Sequence, residues 1–279
     1  MRAFALIVLM MPALLLAQEP ATSPTVANAS VQQYEDGSPL PADYAFVPGE
    51  TVFFSFQVRG YQTSPDEEVH MSYRIEALDS DKIPVVETKS GKLDATVTDM
   101  DKDWLPKIRH TVLVPPHALP GQYRISAWMK DEVSGRETTG SVEFKVGGRA
   151  VERSDTLTIR NFRFLRDEGG QAPLRPAAYR GGETLWARFD VTGYKIGEAN
   201  RIQVAYGLSI VAPSGKTLFT EPQAAEEKDA PFYPKRYFAG IVSLNVQPKT
   251  TPGEYTLVIS VRDEVGGQTY ESRQPFRID

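Results

Sequence analysis

The sequence contains no cysteine among its 279 residues. A thiol-dependent enzyme is therefore excluded, and so is a membrane anchor attached through a lipidated cysteine. If the chain is exported, packing and hydrogen bonds must hold its domains together without disulfides. An exported chain without cysteine is more typical of bacteria than of eukaryotic secreted modules, which are rich in disulfides.

Other features of catalytic or nucleic-acid-binding proteins are also scarce. The three histidines, His70, His110 and His117, do not have the spacing of zinc ligands. Acidic residues outnumber basic ones, 36 to 31, and neither sign forms a long block, so we expect no nucleic acid partner. No nucleophile elbow of the Gly-x-Ser-x-Gly type occurs. A hydrolase with two carboxylates stays open as a remote alternative, because its acids can lie far apart along the chain.

Long apolar runs are absent after the first residues of the chain. Residues 3–16 are apolar and follow Arg2, and Ala17 is a small residue suited to cleavage. The run is shorter than the ~20 residues that a membrane span needs, so residues 1–17 are predicted to be a signal peptide. Residues 18–27 read as a flexible leader. We therefore expect an exported protein, periplasmic or extracellular, with no membrane span in the mature chain.

The remaining sequence alternates apolar and polar residues with a period of two, which is typical of strands. Val52, Phe54, Phe56 and Val58 share one face of such a segment. Some seven short segments of this kind occur in each half, separated by turn residues. Residues 221–229 fit either a turn of helix or a loop, and no convincing helix is predicted.

The two halves of the sequence repeat each other. Residues 49–61 align without a gap to residues 182–194, 133 positions later, and seven of these 13 positions are identical. A period of this length makes each copy a whole domain and not one unit of a solenoid. The predicted fold is all-β, with two tandem β-sandwiches at residues 28–148 and 149–279 that arose by internal duplication.

Both copies contain the motif Pro-Gly-x-Tyr, which ends in Tyr123 and in Tyr255. An alternating strand, an Asp-x-x-x-Gly hairpin and a final Phe-x-Val or Phe-x-Ile follow in each case. Each copy thereby resembles a bacterial immunoglobulin-like or macroglobulin-type module. The resemblance implies an immunoglobulin-like sandwich in which Tyr123 and Tyr255 form tyrosine corners, and a role as an adhesive, spacer or accessory domain.

One acidic segment has alternating aspartates, Asp99, Asp101 and Asp103. Such residues converge on calcium when the backbone turns, and calcium is the one cofactor that the sequence suggests. However, Trp104 stands where an EF-hand loop needs glycine, and His110 stands where it needs glutamate. A solvated acidic loop is the simpler interpretation.

Residues that differ between the copies are the candidates for contact with a ligand or partner. Trp128 falls on the polar face of its strand, where the second copy has Ser260. The favoured prediction is a non-enzymatic interaction, adhesion or spacer module that binds an unknown protein or an envelope or glycan partner. The alternative is a carbohydrate-binding accessory protein with Trp128 and Tyr233 as stacking residues.

Overall fold

The computed structural model describes residues 23–101 and 103–279, with the side chain of Asp99 left out. The predicted signal peptide, residues 1–17, lies outside the described residues, as do residues 18–22 of the predicted leader. The first strand begins at Thr25, inside the segment predicted as leader, because this strand pairs with a core strand over residues 25–27.

The first eight strands form domain 1. They are β1 (Thr25–Gln32), β2 (Ala45–Phe46), β3 (Thr51–Arg59), β4 (Glu68–Leu78), β5 (Lys89–Thr96), β6 (Lys107–Leu113), β7 (Gly121–Asp131) and β8 (Glu137–Val146). A three-stranded sheet has the order β1-β3-β6, and a five-stranded sheet has the order β2-β8-β7-β4-β5. A short 3-10 helix, Asp99–Asp101, precedes β6.

The next eight strands form domain 2. They are β9 (Thr158–Leu165), β10 (Ala178–Tyr179), β11 (Thr184–Thr192), β12 (Ile202–Val211), β13 (Thr217–Asp229), β14 (Tyr237–Asn245), β15 (Gly253–Asp263) and β16 (Thr269–Ile278). Its sheets, β9-β11-β14 and β10-β16-β15-β12-β13, repeat the strand order of domain 1. A second 3-10 helix spans Glu198–Asn200. The predicted duplication is thus a duplication of one complete strand topology.

This strand order is that of an immunoglobulin-like sandwich. Such sandwiches place strands A, B and E in one sheet and C, F and G in the other. Strands β1, β3 and β6 correspond to A, B and E, whereas β4, β7 and β8 correspond to C, F and G. The short β2 pairs in parallel with β8, and β5 extends the larger sheet beyond β4. The chain is therefore two tandem immunoglobulin-like β-sandwiches.

Each domain has its own hydrophobic core between its two sheets. The alternation in β3 places Val52, Phe54, Phe56 and Val58 in the core, each at most 1% exposed. In β11 the equivalent side chains Leu185, Ala187, Phe189 and Val191 are at most 2% exposed. Burial of these apolar surfaces is the main stabilising term in a chain without disulfides.

The repeated motifs close each sandwich. The Tyr123 hydroxyl donates to the Leu119 carbonyl at 2.8 Å, and the Tyr255 hydroxyl donates to the Thr251 carbonyl at 2.7 Å. Both rings are almost fully buried. This is the geometry of a tyrosine corner, in which the hydroxyl at the start of strand F satisfies a backbone group just upstream.

A buried aspartate at the end of strand F makes a second set of hydrogen bonds that recurs in both domains. Asp131 accepts bonds from the backbone N–H of Val133 and, at 3.0 Å, from that of Gln62 in the loop after β3. Asp263 accepts equivalent bonds from Val265 and from Lys195, the latter at 2.8 Å. Each carboxylate thus ties a hairpin of the larger sheet to the loop that connects the two sheets.

The sequence interpretation of residues 221–229 as helix or loop was wrong. These residues belong to β13, which pairs antiparallel with β12 along its length. β13 lies at the edge of its sheet, and most of its side chains are exposed. The charged residues that obscured the strand pattern are typical of an exposed edge, because charges discourage pairing with another chain.

Among the described residues, no helix is long and apolar enough to cross a membrane.

We predict that Tyr255→Phe lowers the free energy of unfolding by ~1–2 kcal/mol, because the part-buried hydrogen bond from the hydroxyl to the Thr251 carbonyl is lost. Tyr123→Phe is expected to have an effect of similar size. Urea denaturation measures both, with Tyr34→Phe as the control, since Tyr34 is 63% exposed. Equal stabilities of Tyr255→Phe and the control would contradict the prediction.

Candidate functional site

The two domains meet at Tyr233, which lies in the loop between β13 and β14. Its ring is 3% exposed and belongs to the core cluster of domain 1, although the residue is part of domain 2. Its hydroxyl donates to Asp79 Oδ2 at 2.8 Å. Burial raises the pKa of this hydroxyl, so it stays protonated and remains a donor.

Hydrogen bonds within the turn that follows β4 orient the Asp79 carboxylate for this contact. Asp79 follows β4, is 6% exposed, and its Oδ1 accepts bonds from the backbone N–H of Asp81 and of Ile83, both at 2.8 Å. Arg236 Nη1 donates to Asp79 Oδ2 at 3.2 Å and to the Tyr233 hydroxyl at 2.9 Å. The buried carboxylate is therefore both hydrogen-bonded and paired with a cation, as a buried charge requires.

Further contacts surround this pair. Arg236 Nη2 lies 3.4 Å from Asp81 Oδ2, which also accepts a bond from Arg153 in the segment between the domains. His117 Nε2 lies 3.2 Å from the Tyr233 carbonyl oxygen. We call Asp79, Asp81, His117, Tyr233 and Arg236 the inter-domain joint. It fixes the orientation of domain 2 on domain 1.

The position of Tyr233 argues against the prediction that its ring stacks on a sugar. Its ring is enclosed between the two domains, so neither face is open to a ligand. The function that the structure gives to this side chain is to join the domains. Of the two aromatic residues predicted to contact a ligand, Trp128 and Tyr233, only Trp128 remains a candidate.

Trp128 lies on the outer face of the five-stranded sheet of domain 1 and is partly exposed. Arg74, directly opposite on β4, places its guanidinium carbon 6.0 Å from the indole centroid. The indole Nε1 donates to Glu137 Oε2 at 3.3 Å. Trp128 and Arg74 line a shallow groove together with residues of β4 and β5, including Ser72 and Lys92. Indole surface and hydrogen-bonding side chains are thus brought together.

The acidic segment forms a capped turn in the part that the structure describes. The Asp101 carboxylate accepts a bond from the Thr98 hydroxyl at 2.9 Å and one from the Thr98 N–H at 3.3 Å. The side chain of Asp99 lies outside the described residues. Among the side chains that are described, no group of three or more His, Asp or Glu residues could hold a metal ion. Calcium binding by Asp99, Asp101 and Asp103 stays a prediction.

Four carboxylates are buried in the described part of the chain, and each has a structural partner. Asp131 and Asp263 hold hairpins, and Asp79 belongs to the joint. Asp190 is fully buried and accepts bonds from Arg149 and from Asn161. These contacts account for the buried acids without invoking catalysis.

No family model matches the chain, and no curated protein matches it. Among solved structures, the chain is similar to the C-terminal domain of the Streptococcus pyogenes antigen I/II-family protein AspA, with 10% identity, a TM-score of 0.31, and 93% of this chain and 99% of that chain covered. The C-terminal domain of the Streptococcus agalactiae AgI/II polypeptide BspA has 10% identity and a TM-score of 0.31, with 91% and 99% covered. A family 123 glycoside hydrolase from Clostridium perfringens has 12% identity and a TM-score of 0.29, with 44% and 27% covered. These TM-scores are too low to support an inference, and the fold assignment rests on strand order.

Sequence reasoning did not find the joint, although a signal for it exists. The duplication aligns Asp79 with Ala212, so the carboxylate belongs to one copy only. Tyr233 aligns with Leu105 in the matching aromatic-x-Pro segments. Asp79 and Tyr233 therefore stand at positions where the copies differ, but only the folded chain shows that these two residues lie close together.

We predict that Tyr233→Ala uncouples the domains while each sandwich stays folded. The change removes a buried ring and a buried hydrogen bond, so domain 1 is expected to lose ~3 kcal/mol. Calorimetry should then show two transitions, and proteases should cleave faster within residues 147–157. Phe232→Ala is the matched control, because the neighbouring ring is 51% exposed. A single cooperative transition in both variants would contradict the prediction.

The joint is also expected to weaken in acid. Burial lowers the pKa of His117 below its ordinary value of about 6.5, so the folded state favours the neutral ring. The stability that depends on the neutral ring is fully present above about pH 6.5, and it is lost as pH falls from that value through the lower pKa of the folded state. Melting temperatures between about pH 7.5 and 5 should fall more for the wild type than for His117→Gln. Parallel curves would refute this role of His117.

Proposed function

We propose that the protein is an exported, non-enzymatic interaction module of bacterial origin. The predicted signal peptide and the lack of cysteine support export to the periplasm or the exterior. Two immunoglobulin-like sandwiches joined through a buried charged contact provide a rigid support for a binding surface. The partner class is a protein or a glycan of the cell envelope, and the module acts by adhesion or as a spacer that positions its partner.

The observation that carries the proposal is the partial exposure of Trp128 on an outer sheet face. Partly exposed aromatic residues that have polar neighbours are common at the centres of protein interfaces. The equivalent position of domain 2 is Ser260, so the immunoglobulin-like fold itself does not need an indole there. Arg74 and Glu137 hold the ring in place, which reduces the entropy that binding would cost.

A carbohydrate partner is the second candidate function. Sugars bind to proteins through stacking on an aromatic ring together with hydrogen bonds from polar side chains, and an indole has both an apolar face and a polar N–H. Ser72, Arg74 and Lys92 line the same groove as Trp128 and are hydrogen-bond donors. The groove is open, so it suits a chain of sugars better than a small enclosed ligand.

The proposal predicts that Trp128→Ser, which introduces the residue of domain 2, weakens binding to isolated bacterial envelope fractions by more than about tenfold. Cosedimentation of the purified full chain with these fractions measures the change. Trp104→Ser is the control, since Trp104 is 37% exposed and lies in the loop before β6. Equal cosedimentation of Trp128→Ser and the wild type would reject Trp128 as the contact.

A polysaccharide panel separates the two candidate functions. In the variant Trp104→Phe/Trp186→Phe, Trp128 is the only tryptophan. A shift of its emission with a polysaccharide, lost in Trp128→Ser, supports the carbohydrate function. Binding to envelope fractions that survives glycan removal but not protease treatment supports a protein partner.

A further inference from the structure

The outer face of the three-stranded sheet of domain 2 carries two arginines opposite each other. Arg188 on β11 and Arg163 on β9 are direct cross-strand partners, so their Cβ atoms lie about 4.5–5.5 Å apart. Like charges in this position destabilise a strand pair unless another group compensates them.

Neighbouring arginines have acidic partners, but these two do not. Arg149 pairs with the buried Asp190, Arg160 lies 3.4 Å from Glu152, and Arg166 pairs with Glu183. Among the side chains that the structure describes, no carboxylate lies at ion-pair distance from Arg163 or Arg188. The Nε–H of Arg163 is buried and has no acceptor among the described residues. Arg188 donates to the backbone oxygen of Glu168, a neutral group.

Domain 1 shows that the fold does not require this arrangement. The duplication aligns Arg163 with Ser30 and Arg188 with Ser55, and these serines are also cross-strand partners. Gln32 Nε2 donates to both serine hydroxyls, at 3.2 Å and 3.0 Å. A neutral, fully hydrogen-bonded trio in one copy thus corresponds to an uncompensated pair of cations in the other.

The two arginines line a groove, which we call the arginine groove. Arg149, Asn161, Gln171 and one acidic residue, Glu168, also line it, and its volume is ≈ 460 Å³. This volume is in the range of pockets that hold small ligands. The β-bulge next to it, where Asn161 adopts φ 50°, is shared with domain 1 at Asn28, φ 51°. The bulge is therefore part of the scaffold, and the arginines are the feature specific to domain 2.

We propose that the arginine groove binds an oxyanion group, a carboxylate or a phosphate, of a small molecule or of a residue in an acidic polymer. The guanidinium group presents paired donors that match the oxygens of both groups. A bound anion would compensate the two positive charges and accept from donors that the protein leaves unpaired. This site lies on domain 2, and the proposal does not depend on the role of Trp128.

Titration calorimetry of the full chain with inorganic phosphate, D-glucuronate and D-glucose tests the proposal. At least one of the two anions is expected to bind and to raise the melting temperature, whereas neutral glucose is not. Binding of phosphate alone assigns a phosphate ligand, and binding of glucuronate alone assigns an acidic sugar. If neither anion binds the wild type at up to about 10 mM, the proposal is overturned.

Substitutions locate the binding. Arg163→Ser and Arg188→Ser are each expected to weaken anion affinity by about tenfold or more. The double substitution recreates the serine pair of domain 1, so it is expected to fold, which circular dichroism checks. Arg188→Lys retains the charge but loses the paired donors, and an intermediate loss is expected. Arg273→Ser is the control, since Arg273 is exposed and pairs with Glu271. Unchanged affinity in the double variant would overturn the proposal.

Discussion

The hydrogen bond from Tyr233 to Asp79 is the contact on which the arrangement of the two domains depends. A tyrosine of one domain enters the hydrophobic core of the other, where its hydroxyl must find an acceptor. Asp79 is that acceptor, and the turn after β4 holds it in place with two backbone N–H groups. Arg236 supplies the opposite charge. Loss of Asp79 would leave the two backbone N–H groups of its turn without their acceptor, and loss of Arg236 would leave a buried carboxylate without its cation.

Inside each domain, which has no disulfides, buried and hydrogen-bonded polar side chains also fix the position of one segment on another. Asp131 and Asp263 are fully buried, and each connects a hairpin to the loop between the sheets. Tyrosine hydroxyls close the corners a few residues earlier in the chain. Each of these groups is desolvated and fully partnered, so each specifies one geometry. Apolar packing stabilises the sandwiches, and these polar contacts define how their parts fit.

Duplication separates what the fold needs from what has been added to it. Residues that recur, such as Tyr123 and Tyr255, have sufficient structural contacts in both copies. Residues that differ have contacts that the fold does not require. Trp128 stands where the other copy has a serine, Asp79 stands where it has an alanine, and two arginines stand where it has a pair of serines. Three different surfaces of one duplicated scaffold thus carry a partly exposed indole, an inter-domain joint and a groove lined by arginines.

The sequence alone determined the strands, the duplication and the fold class, because these depend on local alternation and on motifs that are contiguous in the chain. The start of β1 and the charged β13 were missed: β1 begins inside the segment predicted as leader, and β13 is an exposed edge strand that needs no apolar face. The tertiary structure decided which side chains face each other across domains and strands. No local pattern places Tyr233 in the core of domain 1 or sets Arg163 opposite Arg188. Those positions depend on strand register and domain docking, which result from the energy of the whole fold.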